Sequence, residues 1–248
     1  MTLADIKIVL VEPAGPLNVG SIARVMKNFG LSQLVLVNPK CDYLGAEAKL
    51  MAVRGFDILE SASIVNSLPS ALTGCKRTIA TTGVDHDWNA PLEAPRTALP
   101  WLLEEVGISA LIFGREDRGL SNEELNYAQR FVRIPSSREY SSLNLAMAVG
   151  ICCYELAQQA QVLSNSDSEV VKSIPDTDLA PVELVESYYQ QLESLLLSVG
   201  YLFPHTAARR MEKFRQLYNR AHLRNNELAM LRGILSQVQW ALGKNNSK

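Results

Sequence analysis

Two apolar runs, Ala110–Phe113 and Phe131–Ile134, stop abruptly at Gly114 and Pro135. Each opens into a polar loop, G-R-E-D-R-G-L-S from Gly114 to Ser121 and a stretch running through E-Y-S-S-L-N at Glu139–Asn144. Short apolar runs closed by turn residues predict strands, and strands of this kind deliver their following loops to one end of a sheet. In open α/β sheets that end, where loop backbone groups and helix N-termini converge, is where polar ligands sit.

The same grammar recurs along the first two thirds of the chain. Ile6–Val11 is a β-branched run ending in E-P-A-G-P, Gln33–Val37 ends in N-P, and Arg77–Ala80 leads into T-T-G. Between them, Ile22, Val25, Met26 and Phe29 recur at helical spacing, with Asn18 or Ser21 as the cap and Gly30 as the stop. Ala46–Val53, Leu99–Val106 and Asn122–Ala128 read as helices, and Ile58–Leu68 as a short strand before a helix from Ser70. Asn144–Leu163 is a long helix whose Leu145, Ala148, Val149, Cys152 and Leu156 make a nearly all-apolar face, so it is expected to be buried. Strands alternating with helices predict an α/β domain over residues 1–163, with a mostly parallel sheet and helices on both faces.

Ser164–Asp178 is polar and punctuated, and reads as a linker. Residues 179–248 then form a small helical extension. Its first helix is capped by Asp178, striped by Val185, Tyr188, Leu192, Leu195, Leu196 and Val199, and ended by Gly200. A second, Ala207–Ala221, turns Met211, Phe214 and Tyr218 inward and Arg209, Arg210, Lys213, Arg215 and Arg220 outward. A third spans Asn226–Leu242 with Leu228, Leu231, Leu235 and Val238. A net charge of −2 conceals an asymmetry: residues 200–248 hold nine Lys and Arg against two Asp and Glu, whereas residues 164–199 hold one against seven. A basic tail on an acidic body suggests a polyanionic partner.

Several chemistries find no support. Cys41, Cys75, Cys152 and Cys153 form no C-x-x-C pair, and His86, His205 and His222 are scattered, so neither a zinc site nor a disulfide frame is signalled and no metal is expected. There is no phosphate-binding P-loop, no G-x-S-x-G elbow and no H-E-x-x-H; G-R-E-D-R-G lacks the middle glycine of a dinucleotide fingerprint. With no signal-peptide pattern and no long apolar run, a cytoplasmic protein without membrane association is expected.

What remains is N-V-G-S-I-A-R at Asn18–Arg24, F-G-R-E-D-R-G-L-S-N-E-E at Phe113–Glu124, and I-P with Y-S-S-L-N-L-A-M-A at Ile134–Ala148. In order and spacing this set resembles the three motifs of the SpoU/TrmH branch of the SPOUT RNA 2′-O-ribose methyltransferases. The continuation through R-R-M-E-K-F-R-Q-L-Y-N-R-A at Arg209–Ala221 and N-E-L-A-M-L-R-G-I-L at Asn226–Leu235 is similar to the helical extension of members that methylate cytidine or uridine in the tRNA anticodon loop, at position 32. The resemblance implies a C-terminal trefoil knot, a homodimer, S-adenosylmethionine as cosubstrate and tRNA as substrate. Ordinary connectivity rules, under which chains are not threaded through loops, predict an open sheet instead.

On that resemblance the cosubstrate is held by Thr81, Thr82 and Gly83, by Gly114, Gly119 and Leu120, and by Ile134, Pro135, Ser141, Ser142 and Leu143. Arg24 takes the place of the family's catalytic arginine. A guanidinium with a pKa above about 12 is no base at neutral pH, so its implied part is to grip the target phosphate and stabilise a developing alkoxide. Asn18, Ser142 and Asn144 either orient Arg24 and the ribose or simply cap helices. Glu116 either orients Arg24 or Asn18, or pairs with Arg115 or Arg118. Tyr140 either stacks on an unpaired base or packs. Arg209, Arg210, Lys213 and Arg220 are expected at RNA phosphates. The same chemistry on ribosomal or another RNA, and an inactive RNA-binding protein of the same fold, stand as alternatives.

Overall fold

The computed structural model describes residues 2–83, 91–104, 106–137, 139–166 and 179–245. His86, the Asp178 cap and most of the linker lie outside the described residues. Two compact units are formed, residues 1–177 and 178–248.

In the first unit the order is β1 (Ile6–Val11), α1 (Pro16–Asn28), β2 (Gln33–Val37), α2 (Ala46–Ala52), α3 (Phe56–Glu60), β3 (Ser63–Val65), α4 (Leu68–Ala71), β4 (Cys75–Thr81), β5 (Leu92–Glu93), α5 (Pro95–Ala98), β6 (Ile108–Phe113), α6 (Asn122–Leu125), β7 (Arg130–Val132) and α7 (Leu145–Ser166). Among the described residues these strands make one seven-stranded sheet in the order β3-β2-β1-β6-β4-β7-β5, with every pairing parallel. Both faces are covered. Ile8, Leu10, Leu34, Leu36, Leu111 and Phe113 join one core with Val19, Ile22 and Met26 of α1 and Val149, Cys152 and Leu156 of α7. Their alternates Val9, Val11, Val35, Val37, Ala110 and Ile112 are buried as well, as are Leu68 of α4 and Leu125 of α6. Burial on both faces explains why these strands read as continuous apolar runs rather than as alternating ones.

Several local expectations are corrected. α1 begins at Pro16 behind a Gly15 cap, and Ser21 is no cap, since its hydroxyl donates back to the Leu17 carbonyl at 2.8 Å. α2 stops at Ala52 because Val53 takes φ 51°, a left-handed conformation costly for a β-branched residue. A 3-10 turn and α3 follow, so the Ile58–Leu68 stretch expected as a strand begins in helix and reaches its strand, β3, only at Ser63. The helix expected from Ser70 starts at Leu68, where Ser67 caps and Pro69 sits in the first turn. Leu99–Leu103 is a 3-10 segment.

The second unit packs α8 (Val182–Ser198), α9 (Ala207–Ala221) and α10 (Asn225–Asn245) around Tyr188, Tyr189, Leu192, Leu202, Met211 and Leu228. Pro181, not Asp178, stands at the cap of α8. Arg215, expected to face outward, instead pairs bidentately with Glu186 and lies 4.5 Å above the Tyr189 ring. The other basic residues of α9, Arg209, Arg210 and Arg220 among them, are exposed.

Candidate active site

The strand order places β6, β4 and β7 side by side, so the loops at their carboxyl ends open into one cleft. Thr81, Thr82 and Gly83 line it after β4, Gly114–Leu120 after β6, and Ile134 and Ser141–Leu143 after β7; Phe113, Val132, Leu145 and Ala148 add apolar surface. Ten of the eleven residues expected at the cosubstrate are thereby brought together, and Pro135 alone stands outside the lining. The strand ends are tied to each other: the Thr81 hydroxyl donates to the Ile112 carbonyl at 3.1 Å, and the Thr82 amide to the Val132 carbonyl at 2.9 Å.

The β6 loop is closed by backbone. Arg115 and Gly119 exchange two hydrogen bonds, and a side chain at Gly114 would come within 2.2 Å of the Gly119 carbonyl carbon. Gly119 has φ 71°, which a residue without Cβ adopts at no steric cost. Arg115 clamps this loop from outside, donating Nε to Glu12 at 2.6 Å and both terminal nitrogens to Glu124 at 2.8 and 2.9 Å. The Arg115 hydrogen bond holds the Glu12 carboxyl below its ordinary range. Burial alone would raise Glu124, but its hydrogen bonds from Arg115 and the Ser121 amide win and hold it low, while Arg115 is pushed further up. Sequence reasoning missed this clamp. The one legible trace of it was Ser121 three residues before Glu124, a capping box that the structure forms.

Glu116, the next residue, points to α1. Its carboxylate accepts from the Ala14 and Gly15 amides at 3.1 and 3.0 Å, doing for the Gly15 cap from 101 residues away what the N3 glutamate of a capping box does locally. It also accepts from Asn18 Nδ2 at 3.3 Å. Asn18 Oδ1 accepts from Asn144 Nδ2 at 2.9 Å, and Asn144 Oδ1 accepts from the Ala146 and Met147 amides, capping α7. Because the carboxylate only accepts and the helix amides only donate, every amide orientation in the chain Glu116–Asn18–Asn144 is determined. Of the options open for Glu116, Asn18 is its partner; Arg115 is engaged elsewhere. For Asn144, capping and contact with Asn18 coexist.

Arg24 does not line the cleft. It is exposed on α1, has no ion pair among the described residues, and shares its face with Leu17 and Ser21. Tyr140 is 78% exposed and likewise outside the lining, whereas Ser142 is part of it. Burial pushes the Cys153 thiol up to about 12 and Cys152 higher still, so neither is a nucleophile at neutral pH.

A parallel α/β sheet carrying one polar cleft at the ends of three adjacent strands defines the class, and the comparisons place the chain within it. Residues 5–154 match the SpoU rRNA Methylase family, and the chain belongs to that family. Residues 183–247 match the C-terminal domain of the tRNA methyltransferase TrmJ. The chain is 39% identical over 244 residues to the tRNA (cytidine/uridine/adenosine-2′-O-)-methyltransferase TrmJ of Pseudomonas aeruginosa, covering 96% of this chain and 95% of that one. It is 40% identical to the tRNA (cytidine/uridine-2′-O-)-methyltransferase TrmJ of Pectobacterium atrosepticum, covering 96% and 98%. The crystal structure of TrmJ from Z. mobilis superimposes with a TM-score of 0.82 at 29% identity, over 94% of this chain and 98% of that one.

Proposed function

We propose that this protein is a cytoplasmic, homodimeric tRNA 2′-O-ribose methyltransferase that uses S-adenosylmethionine and acts on cytidine or uridine in the anticodon loop, at position 32. The observation that carries the reading is the single cleft in which three strand-end loops meet beside the Glu116–Asn18–Asn144 chain. The names of the full-length relatives support the substrate.

The cleft suits the cosubstrate. Among the described residues, a Cβ added at Gly83 or Gly119 would meet nothing within 4 Å, so two stretches of lining backbone are open to a flat base. Thr81–Gly83, Gly114–Leu120, Ile134 and Ser141–Leu143 would hold it, threaded as the family's trefoil. When bound, S-adenosylmethionine supplies an electrophilic methyl on a sulfonium. Arg24 holds the target phosphate and stabilises the charge developing on the ribose oxygen, whose proton leaves to that phosphate or to solvent. Ser142 donates to the ribose, and Asn18, set by Glu116 and Asn144, orients the site. Tyr140 offers its exposed ring to the target nucleotide. Arg209, Arg210, Lys213 and Arg220 contact tRNA phosphates.

Dimerisation accounts for a face that the monomer leaves bare. Leu17 on α1 and Met147, Ile151 and Tyr154 on α7 are exposed, and the two helices adjoin, with Tyr154 edge-on to Phe29 at 6.0 Å. Arg24 lies on the same side of α1 as Leu17, so a second copy on this face would meet it.

The deciding experiment is mass spectrometry of tRNA and, in a parallel reaction, of ribosomal RNA, each incubated with the protein and isotopically labelled cosubstrate. Label on the ribose at position 32 with wild type, and none with Arg24→Ala, is expected. Label confined to ribosomal RNA, or no label at all, overturns the reading.

A further inference from the structure

The turn joining α8 to α9 exposes three aromatic rings: Tyr201 also meets the Phe214 ring at 6.4 Å, while Phe203 and His205 stack on each other. Gly200, at φ 73°, ends α8; the amides of Tyr201 and Leu202 both return to the Leu196 carbonyl at 3.0 Å, and buried Leu202 anchors the turn. Leu202 points inward and the residues on either side of it, Tyr201 and Phe203 to His205, are exposed. Tyr201 is 54% exposed, Phe203 51%, and His205 is exposed too. Phe203 and His205, with rigid Pro204 between them, have ring centroids 6.1 Å apart and planes 28° from parallel. Arg210 donates to the Tyr201 carbonyl at 2.9 Å and sets its guanidinium 5.7 Å from the Tyr201 ring.

Charge selects the occupant. Arg209 and Lys213 stand beside the turn in the first two turns of α9 and form no ion pair among the described residues, with Glu212 the one acid in that helix. Open rings backed by cations are the recognition chemistry of unpaired nucleotides, where bases stack and phosphates meet charge. We infer that Phe203 and His205, with Tyr201 held by Arg210, form a stacking platform for an unpaired nucleobase of the tRNA, and that Arg209 and Lys213 take the adjoining phosphates. This rests on the reading that the helical unit binds tRNA, but it names a contact of another physical kind, one that salt screens little.

The test uses the full chain with three variants: Phe203→Leu, Phe203→Trp, and Arg209→Ala with Lys213→Ala. Phe203→Leu keeps apolar bulk and removes the π-face. It is expected to weaken tRNA binding roughly tenfold or more and to raise KM for tRNA with kcat retained. The slope of log affinity against log salt and the affinity for S-adenosylmethionine stay as in wild type, and Phe203→Trp binds tRNA as well as wild type. The charge variant flattens the salt slope by about one to two. If Phe203→Leu binds tRNA normally while the charge variant does not, the platform is refuted and tRNA binding by this unit stands. If neither variant is affected, both fall. Normal tRNA binding by Phe203→Leu with loss of self-association in sedimentation would give the turn to a second copy of the chain instead.

Discussion

Asn18 and Asn144, 126 residues apart in the chain, share a hydrogen bond of 2.9 Å that joins the first turn of α1 to the cap of α7. Glu116 completes the connection from the other side, so three segments, each following a different strand, are held in one register at the edge of the cleft. Asn18→Ala removes the middle link and leaves the Asn144 cap intact. Methylation is expected to fall about ten- to a hundredfold, with cosubstrate affinity nearly unchanged. Asn18→Asp is expected to be worse than Asn18→Ala, because it sets a second carboxylate against Glu116. Single-turnover kinetics and calorimetry check both, and equal effects of the two substitutions would contradict the link.

The Arg115 clamp makes stability depend on pH in a definite direction. Glu12 and Glu124 titrate below the ordinary glutamate value of 4.5, so their contribution is fully present above that value and is lost as pH falls through the depressed ones. Arg115→Met strips Glu124 of its cation and leaves Glu12 with only Lys40 and Arg118 at 3.8 Å, at a cost of about 3 kcal/mol at neutral pH. Thermal melting from pH 7 downward is expected to show the gap between variant and wild type narrowing below about pH 4. A gap independent of pH would assign the loss to packing.

How far the sequence reached depends on whether the cause was local. The central strands were legible because burial on both faces leaves a nearly continuous apolar run rich in Val, Ile and Leu, as at Ile6–Val11 and Gln33–Val37. β5, two residues long, has no period to read. The start of α1 was misplaced because Asn18 is a good capping residue, whereas the group that serves the cap, Glu116, arrives from 101 residues away. Arg215 occupies a position that helical spacing alone makes outward. Glu186, on a different helix, draws it in. The cleft residues were found through motif resemblance and strand ends; of the clamp only the Ser121–Glu124 capping box was legible, and the Glu12 and Arg115 side of it was not, because charges after a strand are common.

Two glycines at the cleft are expected to fail in different ways. A methyl at Gly114 would meet the Gly119 and Leu120 backbone at 2.2–2.3 Å, so Gly114→Ala must reopen the β6 loop. It should lower the melting temperature and abolish cosubstrate binding together. At Gly83 the added methyl meets nothing among the described residues, so Gly83→Ala should melt as wild type does while binding the cosubstrate more weakly, by about tenfold. Calorimetric titration beside thermal melting separates the two, and normal binding by Gly83→Ala would move the ligand away from the β4 loop.

Ile151 sits on the bare face of α7, 37% exposed, between Met147 and Tyr154. A charge there costs the monomer little but is costly in a buried interface. Ile151→Asp is expected to sediment as a folded monomer that has lost methylation, as Arg24→Ala loses it without dissociating. A monomeric Ile151→Asp with full activity would show that each chain completes its own site.

Arg215 and Arg209, both on α9, are expected to separate stability from binding. Arg215 gives two hydrogen bonds to Glu186, both side chains being more than four-fifths buried, and covers the Tyr189 ring. Its removal strands the Glu186 carboxylate beside apolar groups. Arg215→Ala should therefore destabilise the helical unit by about 3 kcal/mol. Arg209 is exposed and unpaired among the described residues, so Arg209→Ala should leave melting unchanged and weaken tRNA binding in a salt-dependent way. Thermal melting and a salt series of tRNA titrations on the two variants check this. If Arg215→Ala melts as wild type, the ion pair contributes nothing to the unit, and the sequence's outward reading of that residue would be the better one.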